Sequence, residues 1–209
     1  MPRHPSHLAE ERRLDARRRI VSAALEIVAE DGYAAASMAA VAQRAGVATG
    51  SIYRHFPSKG ELLAEVFRDA AGREQAFIGG ILRGVGSAPE RLASAAEAFA
   101  RRALAAPTLS YALMAEPVDP AVEAARLESK RGYRDDFAAL LREGVEAGEL
   151  PPLDPPVAAS ALVGALQEAL IGPLADHTSG DALVASLVSF AVRSVGAEEP
   201  ALEETYGHR

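Results

Sequence analysis

Between Ser37 and Phe56 the chain reads SMAAVAQRAGVATGSIYRHF, followed by Pro57-Ser58-Lys59. Thr49, Gly50 and Ser51 are small and two carry hydroxyls, so a polymer backbone can approach them closely. Tyr53, Arg54, His55 and Lys59 follow at once. Arg and Lys supply charge for phosphates, and Tyr and Ser hydroxyls donate to phosphate oxygens. Ser37 and Ser58 stand where helices begin, and helix N-termini present N–H groups that favour anions. This is chemistry for holding a phosphodiester backbone, not for breaking a bond. Read blandly, the same side chains are a solvated surface.

Holding these groups in place needs two short helices joined by a tight turn. Met38, Val41, Ala42 and Ala45 form one apolar stripe that stops at Gly46, with Ser37 able to cap it. Ile52 and Phe56 mark a further short helix stopped by Pro57. Ala45-Gly46-Val47 between them is the turn of a helix-turn-helix, whose second helix enters the DNA major groove. Upstream, Ile20, Ala24, Ile27 and Val28 give a longer helix expected to begin within residues 8–15 and to end at Gly32.

Charge is unevenly divided. Residues 1–60 carry nine basic and six acidic side chains, net +3; the remaining 149 carry 13 and 23, net −10. A basic head on an acidic body fits local contact with a polyanion. The 209 residues include no Cys, which excludes disulfide scaffolds and cysteine nucleophiles. Ala occurs 45 times and Trp never, a composition that favours helices. No uncharged apolar run reaches the roughly 18 residues a membrane span needs, so no membrane partner and a cytoplasmic location are expected.

Residues 17–63 resemble the DNA-binding segment of the tetracycline-repressor-like (TetR) family of bacterial regulators. The resemblance is carried by Ile20, Ala23, Ala24, Gly32, Ser37, Val41, Ala42, Ala45-Gly46-Val47, Ser51-Ile52-Tyr53, His55-Phe56, Ser58-Lys59 and Leu62-Leu63. It implies that Tyr53, Lys59 and Ser37 anchor phosphates. Thr49, Ser51 and Arg54 then sit where base or backbone contacts are made, and Gly50 lets the helix approach the groove. It also implies that Val41, Ile52 and Phe56 are core. One position departs: Ala48 stands where the family often caps the recognition helix with Ser or Thr, and Thr49 comes one step later.

The expected fold is all-α, about nine helices, with a helix-turn-helix domain over residues 1–57 and a ligand-sensing, dimerising domain over 58–209. Ser58 opens a long helix with Leu63, Val66, Phe67 and Ala70 inward. Ser87 with Glu90 starts the next by a capping box. A short helix around Leu109–Ala115 follows. Asp119-Pro120 and Asp154-Pro155 start two more, the first ending near Gly148 and the second at Gly172-Pro173. Leu183, Leu187, Phe190 and Ala191 mark a last one. Residues 1–8 and 197–209 are expected to fray. Leu162, Leu166 and Leu170 with Leu183 and Leu187 are expected to knit two copies into a four-helix homodimer interface. Phe77, Phe99, Tyr111, Met114, Tyr133, Phe137 and Gln167 are the candidate lining of an effector pocket, each also readable as plain core.

The whole implies a regulator, a repressor by analogy, that binds double-stranded operator DNA as a dimer. A partly hydrophobic small molecule of unknown identity releases it by favouring a different spacing of the two heads. An activator or co-repressor-type regulator is the alternative response. A helical scaffold or an enzyme without DNA binding is the alternative class. No cofactor is implied. His4, His7, His55, His177 and His208 form no assignable triad, and Asp176-His177 alone is a weak metal pair.

Overall fold

The computed structural model describes residues 5–178 and 180–197. His4 and His208, and most of the two ends expected to fray, lie outside the described residues. Nine helices appear among the described residues: α1 (Pro5–Ala35), α2 (Met38–Ala45), α3 (Thr49–Ile52), α4 (Lys59–Leu82), α5 (Ala88–Ala105), α6 (Pro107–Met114), α7 (Pro120–Glu146), α8 (Pro155–Ala175) and α9 (Asp181–Ser194). No strand occurs among them. The all-α expectation is correct.

The helix boundaries follow local chemistry at most places. Ser37 accepts the N–H of Ala40 at 3.1 Å and caps α2. Gly46 closes α2 in the left-handed region, φ 66°, which glycine enters without the usual steric cost. Ser87 and Glu90 form the reciprocal capping box, Ser87 N–H to Glu90 at 2.8 Å and Glu90 N–H to Ser87 at 3.4 Å. Asp154 accepts from Val157 at 3.1 Å to start α8.

Three helices differ from expectation. α1 begins at Pro5, within the segment expected to fray, and its helical run continues past Gly32. Gly32 itself breaks the helix at φ 78°. α3 spans only four residues, and its last turn tightens so that His55 and Phe56 both donate to the Ile52 carbonyl. α8 does not stop at Gly172-Pro173 but runs through Pro173 to Ala175. A proline lacks only its own N–H, and the Gly172 and Pro173 carbonyls still accept, from Asp176 at 3.0 Å and Thr178 at 2.9 Å. Among the described residues α8 alone is long and apolar enough to cross a membrane. It instead packs on α5 and α9 and carries an exposed Glu168.

Packing divides the chain into two compact units that do not follow the expected boundary after residue 57. The first is the chain up to Arg73 together with Ala106–Ser129. Its core joins Ile20, Ala24 and Val28 of α1, Val41 of α2, Ile52 of α3, Phe56, and Leu62, Val66 and Phe67 of α4 with Ala112, Val122 and Ala125. α6 lies against α1 in this unit. The second is Glu74–Ala105 together with the chain from Lys130. Here Leu92, Ala96 and Phe99 of α5, Leu140 and Leu141 of α7, Leu162, Leu166 and Leu170 of α8, and Leu187 and Ala191 of α9 are buried. α4 and α7 supply residues to both units.

Two charged residues fix the returning segment Ala106–Ser129, and one of them, Glu116, ties it to the end of α1. Arg126, 8 % exposed, donates to the carbonyls of Leu113 (2.9 Å), Ala112 (3.2 Å) and Glu116 (2.9 Å). It thereby satisfies carbonyls that the end of α6 leaves without an intrahelical donor. The Glu116 carboxylate accepts the N–H groups of Tyr33 (2.9 Å) and Ala34 (3.1 Å), just past the break at Gly32. A Cβ at Gly32 would stand 2.8 Å from that carboxylate.

Candidate nucleic-acid interface and effector cavity

The buried half of the helix pair fixes the exposed half. Val41 and Ile52 are fully buried and Phe56 is 2 % exposed. Burying those three anchors leaves Thr49, Gly50, Tyr53, Arg54 and Lys59 facing outward. Tyr53 is 51 % exposed. Arg54 donates to the Ser51 hydroxyl at 2.8 Å, so the two share one face at helical spacing. A Cβ added at Gly50 would meet nothing within 4 Å, so open space lies in front of the backbone there. Ala48 is the N-cap of α3 and no side chain caps it; Thr49 is already inside the helix. Thr49 therefore does not cap α3, and it is exposed.

Ion pairing sorts the basic side chains of this unit. Arg44 is held bidentately by Glu30 at 2.9 and 2.8 Å, with Glu26 nearby. Arg17 pairs with Glu65 at 2.7 Å and stacks over the Phe56 ring at 4.7 Å. Arg19 donates to the Ala45 carbonyl at 2.6 Å and closes α2. Arg54 and Lys59 form no ion pair among the described residues and remain available to an outside anion. Ser37 and Ser58 use their hydroxyls as caps, Ser58 accepting from Glu61 at 3.1 Å. His55 is half-buried, and burial, then the charges of Arg13, Arg54 and Arg17, hold its pKa below the ordinary value. Arg13 and Arg17 were not singled out in the sequence; the arginine run 12–19 was the signal that they flank the site.

In the second unit Phe99, Tyr133, Phe137 and Gln167 come together, with Val163 and Leu166, around one small cavity of about 10 Å³. That is room for about one water molecule. Phe99 and Tyr133 meet edge to face, centroids 6.1 Å apart. Burial pushes the Tyr133 phenol well above its usual range; the Glu74 and Asp136 carboxylates add to this and Arg102 opposes it. The Gln167 amide has no side-chain hydrogen bond to a described residue.

The other three pocket candidates lie elsewhere. Phe77 is 47 % exposed with the Arg102 guanidinium 4.4 Å over its ring. Tyr111 and Met114 sit half-buried on α6, in the first unit.

The interface leucines also need correction. Leu162, Leu166, Leu170 and Leu187 are buried in their own chain and Leu183 partly so. They are core, because the widest apolar stripe of each helix turns to its own unit. Phe190 on α9 is 48 % exposed, and Val157 on α8 is 64 % exposed. Ala161, Gly164, Ala182 and Ala185 are exposed with them.

Two family profiles match the chain: "Bacterial regulatory proteins, tetR family" over residues 20–66 and "Tetracyclin repressor-like, C-terminal domain" over residues 85–170. The transcriptional repressor KstR of Mycolicibacterium smegmatis is 48 % identical over 69 residues, 33 % of this chain and 32 % of that protein. The chain thus spans about a third of that relative's length. The fatty acid metabolism regulator protein of Bacillus subtilis is 27 % identical over 152 residues, 71 % of this chain and 78 % of that protein. Among solved structures, the transcriptional regulator FadR from Bacillus subtilis in complex with stearoyl-CoA superposes with a TM-score of 0.74. It covers 85 % of this chain and 98 % of its own, at 24 % identity, which speaks for the fold. Profiles over residues 20–66 and 85–170, an exposed hydroxyl- and cation-bearing face on a buried helix pair and an all-helical fold agree: the chain belongs to the TetR family of bacterial transcriptional regulators, and is a regulator rather than an enzyme.

Proposed function

We propose that the protein is a repressor that binds operator DNA as a homodimer and is released by a small, partly hydrophobic ligand. The observation that carries the DNA half is the outward set Thr49, Gly50, Ser51, Tyr53, Arg54 and Lys59 over the buried anchors Ile52 and Phe56. Lys59, Tyr53 and Ser37 position the chain on phosphates. Thr49, Ser51 and Arg54 meet base edges or backbone, and His55 sits among the surrounding arginines. The relatives named as a repressor and as a fatty acid regulator favour repression and an effector of the fatty acyl class. A chromosomal target implies a cytoplasmic location.

The dimer is assigned to the outer faces of α8 and α9, around Val157, Ala161, Gly164, Ala182, Ala185 and Phe190, and not to the buried leucines. Small residues there allow close helix approach, and two helices from each copy make a four-helix contact. Two heads then read half-sites about one DNA turn apart, roughly 34–36 Å or a multiple. The cavity of about 10 Å³ beside Phe99, Tyr133, Phe137 and Gln167 is far below the roughly 300–1,000 Å³ of a pocket that engulfs a ligand. A ligand entering it must part α5, α7 and α8, and it acts by its preference for that opened form.

The test is binding to the DNA upstream of the chain's own gene, titrated with salt. Wild type should lose affinity steeply as salt rises. Lys59→Ala should weaken specific and nonspecific DNA alike and reduce the salt slope by about 1. Unchanged affinities would remove Lys59 from the interface, and a monomer at every concentration would remove the dimer.

A further inference from the structure

The second unit carries a cluster of cations that the DNA-binding reading does not use. Arg131, Arg134 and Arg142 of α7 line a groove of about 440 Å³ with Asp135, Ala138, Pro156 and Ser160. Positions 131, 134, 138 and 142 recur along one side of a helix. In this unit Arg83, Arg91, Arg101 and Arg102 each hold a carboxylate, at 2.9, 2.6, 2.7 and 2.8 Å. Arg131, Arg134 and Arg142 hold none among the described residues. Arg134 donates only to the Lys130 carbonyl of its own helix, at 3.1 Å. Asp135, the one carboxylate in the groove, pairs with none of the three, and Ser160 donates to the Pro156 carbonyl at 2.8 Å. Three unpaired guanidiniums together on a segment that is otherwise strongly acidic mark a place left open for an anion.

The groove and the aromatic cavity share a seam. On α8, Pro156, Ser160, Val163 and Gln167 follow one another at helical spacing; the first two line the groove and the last two the cavity. On α7, Tyr133 and Phe137 face the cavity while Arg134 and Ala138, one position on, line the groove. We infer that the effector is amphipathic: an apolar tail enters the cavity and a phosphate-bearing head lies on Arg131, Arg134 and Arg142. Planar guanidiniums engage phosphate oxygens two at a time, which suits such a head. The inference rests on the effector reading above and adds the chemistry of the ligand's other end.

Calorimetric titration of the full chain with stearoyl-CoA, stearate and coenzyme A tests it, beside Arg131→Ala/Arg142→Ala. Both replaced side chains are exposed, so the fold should survive, and an unchanged melting temperature checks that. Stearoyl-CoA should bind wild type about tenfold or more tightly than either stearate or coenzyme A. The double variant should erase most of that advantage while binding stearate as wild type does. Equal affinity of wild type and variant for stearoyl-CoA would overturn the groove assignment and leave the effector reading standing. Coenzyme A binding as tightly as stearoyl-CoA would overturn the link between groove and cavity. No binding of stearoyl-CoA or stearate at all would overturn both the groove and the acyl-effector reading.

Discussion

The two units put their chemistry on opposite sides of their cores. In the first, the anchors are Val41, Ile52 and Phe56, and the hydroxyls and cations proposed to meet DNA are left in solvent. In the second, the aromatic and amide candidates Phe99, Tyr133, Phe137 and Gln167 turn inward around a small cavity. An outward site can be changed at its working residues with little effect on folding. An inward site cannot, because the side chains that would recognise a ligand also fill the core.

That contrast can be broken by substitution. Phe137→Ala should destabilise the protein by about 3–5 kcal/mol in thermal or urea melts, whereas Tyr53→Phe should change stability by less than about 0.5 kcal/mol and still weaken DNA binding. Equal losses of stability would erase the distinction. Arg126→Met tests the first unit's own interior. It strips the carbonyls of Ala112, Leu113 and Glu116 of their donor, and urea unfolding should show a loss of about 1–3 kcal/mol.

A smaller effect of opposite sign is expected at Ala48. Ala48→Ser should add the missing cap of α3 and stabilise the first unit by about 1 kcal/mol, read as a raised melting temperature. The smallest is a pH effect at His55. Its folded pKa lies below the unfolded value of 6.5, so the unfolded imidazole takes up a proton first as pH falls. His55 therefore favours the folded state fully above about 6.5, and that contribution is lost as pH drops through the depressed folded value. The urea midpoint should fall between pH 7.5 and 5.5, and His55→Gln should flatten part of that fall.

What could be read beforehand was what depends on neighbours in sequence. Ser37, Gly46, Ser87 with Glu90 and Asp154 act on amides within a few residues, and each does what its position suggested. The helix pair was legible for the same reason: its spacing leaves few alternatives. Which way a helix turns was not. Periodicity marks an apolar stripe on α8 but cannot say whether it meets its own chain or another; Leu162, Leu166 and Leu170 fill the core of their own unit. Tyr111 and Met114 were misplaced because residues 106–129 return to the first unit, a contact spanning some eighty residues between Glu116 and Tyr33. Pro173 looked like a stop because a proline removes a donor; packing on α5 and α9 holds α8 helical beyond it.

The carboxylate that grips two amides beyond Gly32 has a practical consequence for anyone wishing to excise the reader of DNA. A fragment ending at residue 73 would lack Glu116 and Ala112, Val122 and Ala125, exposing hydrophobic surface on α1 and α4 and freeing the terminal turn before α2, and one ending at residue 57 would lose α4 as well. The contiguous stretch that looks like a portable module is half of one, and its other half is supplied from a place in the chain that no cut after the third helix can retain.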